Sequence, residues 1–141
     1  MHLSLRILAI LFIALVVLQS VLGGALFIVL AGWSPQEVAT YYSQKSFHGL
    51  LETLAPHTLF ISIALMGTLH FLGFIQTINE KQKQLFIHVL FALFLIDQLS
   101  PIGISLGMDF LASVKLIAFI GFETALAAVW LIIFRHSLAE A

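Results

Sequence analysis

Apolar residues gather into four stretches, each long enough to cross a bilayer, and the polar residues between them mark the connections. A transmembrane helix needs about 20 predominantly apolar residues. The first stretch, 7–31, carries no charge; Arg6 opens it and Gly32-Trp33-Ser34-Pro35 closes it. It is too long for the apolar core of a cleaved signal peptide and predicts a retained helix. Ser20 and Gly24 within it have the small-xxx-small spacing that lets another backbone approach. The remaining stretches run over about 54–75, 85–105 and 110–134. Short connections make neighbouring helices antiparallel. The pattern therefore predicts an all-α integral membrane bundle of four antiparallel transmembrane helices, with residues 1–141 forming one domain.

Three departures from the apolar pattern refine this reading. Between Ser34 and Phe47 the chain turns polar; Ser34 can cap a short helix that Pro35 and Glu37 would start, and Tyr41 and Tyr42 suit the headgroup zone. This connection is large enough to cover one end of the bundle, and the second span can extend back as helix to Ser46. The polar passage Gln76 to Gln84 reads as a hairpin turn. In the third span Asp97, Gln98, Pro101 and Gly103 fall within seven residues. A helix stopping at Ser100 would be too short to span, so the expectation is a kinked helix continuing past Pro101.

Composition supports the membrane assignment. Of 141 residues, 61% are apolar and 9% charged, with a mean hydropathy of +1.11, whereas soluble domains carry about 25% charged residues. The net charge of −1 and the absence of any Lys/Arg block set nucleic-acid binding aside. With no cysteine, disulfides, thiolate catalysis and iron–sulfur ligation are excluded. Arg6, Lys81, Lys83 and Arg135 fall on one side, against Lys45 and Lys115 on the other, so both termini are expected in the cytoplasm of a bacterial inner membrane.

Ionisable residues within such spans are costly and usually face the bundle interior. Counting about 1.5 Å per residue from the cytoplasmic ends, His70 lies roughly 11 Å deep and His88 roughly 5 Å deep, Asp97 and Glu123 at roughly 19 and 17 Å, and His57 and Lys115 near 30 Å. His70 and His88, on neighbouring spans, could ligate haem b axially or contact a quinone. Asp97 and Glu123 would repel if both were ionised, so one is expected to hold a proton or the two to share a cation. His48, Glu52 and His57 supply metal-ligand chemistry, although bringing His57 to the His48–Glu52 pair requires a kink at Pro56. Lys115 is expected to snorkel to the surface.

No phosphate loop, dinucleotide fingerprint or nucleophile motif is present. With its histidines inside helices, the chain resembles small b-type membrane cytochromes and the haem-bearing anchors of respiratory enzymes in architecture over its whole length; no residue roles are carried over. The leading expectation is a small electron-transfer or quinone-linked subunit with haem at His70 and His88, working with a partner membrane or redox subunit. The alternatives are a proton- or cation-coupled transport module built on Asp97 and Glu123, as a homo-oligomer, and a non-catalytic assembly subunit.

Overall fold

The computed structural model describes residues 3–139, and all regular structure among them is helical. Five helices follow in order: α1 (Leu3–Ala31), α2 (Pro35–Ser43), α3 (Phe47–Gly73), α4 (Glu80–Ser105) and α5 (Leu111–Ala139). All but α2 are long and apolar enough to cross a membrane. Their outward faces are paved with Leu, Ile, Val and Phe, such as Leu15, Leu22, Val29, Phe60 and Ile117. Surface of this kind is stable against lipid and unstable against water.

Local chemistry explains the breaks. Helix α1 ends at Gly32, whose φ of +82° is the left-handed turn that favours glycine. A side chain there would also collide with Glu37. The Glu37 carboxylate accepts from the backbone N–H of Ser34 (2.9 Å) and of Trp33 (3.0 Å) and from the Ser34 hydroxyl (2.8 Å). Ser34 Oγ in turn accepts from the Glu37 N–H, completing a capping box that starts α2. These donors hold the exposed Glu37 carboxyl below its ordinary value, the Ser34 backbone contributing most, then the Ser34 side chain, then the Trp33 backbone. Ser46 caps α3 through Gly49, so the second span does extend back as helix to this point.

The passage 76–84 is a turn only in its first part. Asn79 and Gln82 form a second capping box and α4 already begins at Glu80. Lys83 reaches back to donate to the Gly73 carbonyl at the end of α3 (3.2 Å) while pairing with Glu80 at 2.8 Å. That satisfies a carbonyl the helix itself leaves without a partner. Helix α4 runs through Pro101 to Ser105, as its length required. Gly107, with φ +91°, turns the chain into α5.

Helices α4 and α5 pack along one another as a hairpin; α3 lies against α4, and α1 against α5. α2 lies across the end of this hairpin with Val38 and Tyr42 buried beneath it. Two apolar clusters result. One, nearer the chain termini, centres on Leu65, Leu72, Leu90, Val129 and Ile133; the other, under α2, on Val38, Leu50, Ile104 and Ala112. At the first, Phe12 sits over Gly67 and against Phe71, and Trp130 donates to Thr68 across α5 and α3 (3.1 Å). Between the clusters α4 contributes the buried Asp97 and Gln98, around which a polar layer forms.

Candidate functional site

Pro101 prepares this layer. Lacking an N–H, proline leaves the carbonyl four residues earlier without its helical partner, and here that carbonyl belongs to Asp97. The Lys115 ammonium fills the gap: it donates to the Asp97 carbonyl oxygen (3.2 Å) and to the Asp97 carboxylate (2.6 Å). Lys115 is 4% exposed and Asp97 7%, so the pair is withdrawn from solvent. The second carboxylate oxygen accepts from the Gln98 amide (2.8 Å), and Gln98 Oε1 accepts from the Thr58 hydroxyl on α3 (2.8 Å). One chain of polar contacts thus joins α5, α4 and α3. The rings of Phe27 and Tyr42 lie 5.3 and 5.7 Å from the ammonium, adding cation–π attraction.

Lys115 therefore does not snorkel outward. Its stem is flexible enough to carry the ammonium inward as readily as out, and the doubly accepting Asp97 decides the direction. The repulsion expected between Asp97 and Glu123 changes accordingly, because Asp97 already has a cationic partner.

The layer borders a cavity of about 530 Å³ between α1 and the other spans, with the tyrosines of α2 at one end. This lies within the range of about 300–1,000 Å³ common to small-molecule sites. Asp97, Gln98 and Lys115 line it, as do Glu123, His57 and Gln19; most of the remaining wall is apolar. Glu123 lies near Ser20 on α1 and close enough to Asp97 to sense its charge. Asp97 and Glu123, singled out from sequence as one layer, do line one cavity. Tyr42, at the end near α2, is buried; that burial, then the nearby Asp97 charge, push its phenol above its ordinary value, so it remains a neutral hydroxyl.

The other sequence candidates lie elsewhere. His48 and Glu52 form an exposed i, i+4 pair at 3.1 Å. His57 does not join them but lines the cavity, and among the described residues no three His, Asp or Glu side chains gather as metal ligands. The nine-residue separation from His48 turns His57 to another face, and Pro56 does not reverse that. His70 and His88 are exposed and neither lines the cavity. The His70 ring makes edge contacts with Phe71 and Phe74, while His88 Nδ1 lies 2.7 Å from the Gln84 carbonyl oxygen. Lys115, Tyr42 and Thr58, together with His57 and Gln19, are the members of the site that the sequence alone does not place there.

Fold and buried layer together define an integral membrane helical bundle with an internal ion pair. The chain belongs to the Aq_1264_TM family, a transmembrane helical domain whose family model matches residues 32–141. The match takes in α2 to α5, and with them His57, Asp97, Lys115 and Glu123. No curated protein and no solved structure matches the chain.

Proposed function

We propose that this chain is a proton-coupled transport module of the membrane, in which Glu123 exchanges the proton and the Lys115–Asp97 pair is the fixed counter-charge. The supporting observation is the charge balance of the cavity. Among the described residues, two carboxyls line it against a single lysine, with no arginine. An uncompensated charge at membrane depth is costly. Since Lys115 is committed to Asp97, neutrality asks for a proton on Glu123. Loss of that proton would place a second negative charge near Asp97 and loosen its hold on Lys115, which links protonation to the packing of α5 on α4. Four spans enclose little volume, so transport also calls for a homo-oligomer.

Infrared spectroscopy on the reconstituted protein tests this assignment. A protonated-carboxyl band should appear at pH 7, vanish in Glu123→Gln and remain in Asp97→Asn. A spectrum without the band, or one in which only Asp97→Asn removes it, overturns the proposal.

One observation favours a second reading, haem b at His70 and His88 in an electron-transfer subunit with a redox partner. A backbone carbonyl engaging Nδ1, as Gln84 does at His88, is the contact that orients a metal-binding imidazole with Nε2 outward. A Soret band from protein expressed with adequate haem supports it, and its absence counts against it. The cavity favours the proton reading, because both carboxyls and the lysine meet there and neither of these histidines does.

A further inference from the structure

The polar groups of the cavity are not all used by one another. An ammonium has three N–H donors; Lys115 spends two on Asp97. Among the described residues neither the Tyr42 hydroxyl nor the His57 ring has a hydrogen-bond partner, yet both line the cavity. The Tyr42 hydroxyl is also not sealed away in the core as an unsatisfied buried atom. His57 is near enough to feel the charges of both Asp97 and Lys115. Three donors consequently converge on the cavity end next to α2. A hydrogen-bond acceptor suits that end.

Charge narrows the choice of acceptor. Lys115 is already neutralised by Asp97, and Glu123 adds a further acidic group, so an anionic head such as a carboxylate or phosphate finds no surplus cation. A cationic head would be placed against Lys115. What remains is a neutral acceptor, and a carbonyl oxygen, with two lone pairs and no donor of its own, is the kind that several donors can share. The rest of the wall asks for a tail: α1 lines the cavity from Ala31 back to Leu15, about 24 Å along the helix. Leu15, Leu18, Leu22 and Leu26 on that wall are also exposed on the outer face of the bundle. A hydrocarbon chain lying there can continue into the bilayer.

We infer that this cavity binds a neutral, carbonyl-headed amphiphile of the isoprenoid-quinone class, with its head at Tyr42, His57 and Lys115 and its tail along α1. The inference goes beyond proton exchange at Glu123. It concerns binding alone and uses no proton gradient in its test, so either can fail without the other.

The test uses the full chain in phosphatidylcholine nanodiscs, with 2-decyl-1,4-benzoquinone as probe, decylbenzene as a matched tail without carbonyls, and decanoate as a matched anion. Binding above that of empty discs should be saturable for the quinone, and neither control should displace it. Tyr42→Phe removes one hydrogen bond of about 1 kcal/mol and should weaken binding roughly fivefold. Gly23→Phe should abolish it: Gly23 lines the cavity and a Cβ there meets nothing within 4 Å, so a ring is tolerated by the protein and takes up space on the ligand's wall. Should that variant fail to fold, Leu22→Trp fills the same wall from an exposed position. Non-saturable uptake overturns the inference, as does equal displacement by decylbenzene, which would mark an ordinary lipid-chain groove. Displacement by decanoate, or full binding in a folded cavity-filled variant, overturns it too.

Discussion

The Lys115 ammonium is held by two oxygens of one residue, and each oxygen has a separate origin. The Asp97 carboxylate is a matter of side-chain chemistry, whereas the Asp97 carbonyl is free only because Pro101 follows four residues later. Removing one member of a buried pair costs about 3–5 kcal/mol, and replacing both by apolar residues of similar size is often neutral or favourable. Lys115→Met should accordingly destabilise the bundle by about 3–5 kcal/mol. The double change Lys115→Met with Asp97→Leu should recover only part of that loss, because the freed carbonyl stays buried without a donor at a cost of about 1–3 kcal/mol. Adding Pro101→Ala restores the missing N–H and should recover the carbonyl's share, while the Gln98 amide still lacks the Asp97 oxygen to which it donates. Denaturant titration in mixed micelles measures all three, and a double variant already as stable as the parent would show that the carbonyl contact contributes nothing. The spacing behind this arrangement was present in the sequence, since Asp97 and Lys115 stand nine residues either side of position 106. Depth counted from the far ends of the spans hides it, because α5, with 29 residues, is longer than α4, with 26, and that excess enters the difference in depth. Counted from the turn, Asp97 lies about 12 Å and the Lys115 backbone about 6 Å inside their helices, a gap that the lysine stem closes.

Among the elements, α2 depends most on one short piece of sequence. Ser34 and Glu37 satisfy each other's backbone donors, and Gly32 supplies the left-handed turn that brings Glu37 close. Because these donors lower the Glu37 pKa, its contribution to α2 is complete above the ordinary carboxyl value of about 4.3 and is lost as pH falls through the lower folded value. Hydrogen exchange of the α2 amides, corrected for the intrinsic pH dependence, should show more frequent opening as pH drops from about 5 to about 3. At neutral pH, Ser34→Ala should cost about 1 kcal/mol and raise α2 opening roughly fivefold. If α2 opened equally in the parent and in Ser34→Ala, the cap would not be what holds it. This element, the Ser46 start of α3 and the passage of α4 through Pro101 were legible in advance because each follows from local rules on caps and span length. The meeting of Lys115, Asp97, Gln98 and Thr58 was not, since it depends on how three helices rotate against one another. Composition alone leaves that rotation open when spans are apolar on nearly every side.

For the whole molecule, the relocation of Lys115 alters the charge asymmetry that sets orientation. That asymmetry is counted over loops and span ends, not over groups buried between helices. With Lys115 paired inside the bundle, Lys45 is the basic residue left at the α2 end, where it donates to Thr53 (3.2 Å) and sits over the Tyr41 ring. At the opposite end stand Arg6, Lys81, Lys83 and Arg135. The bias thus becomes four to one, and it favours placing the termini and the α3–α4 turn in the cytoplasm and α2 on the far side. The cavity end lined by the α2 tyrosines would then lie away from the cytoplasm, and a proton reaching Glu123 from that end would pass the Lys115–Asp97 layer. Reporter fusions after residues 40 and 80 test the orientation directly. A cytoplasm-active reporter should work at 80 and a periplasm-active one at 40. The reverse outcome would turn the bundle over and place that end of the cavity on the cytoplasmic side. A neutralising pair of changes, Lys81→Gln with Lys83→Gln, should weaken the bias to two against one without touching the ion pair. Mixed orientation in that variant, with uniform orientation in the parent, would show that loop charges direct insertion while Lys115 serves the interior.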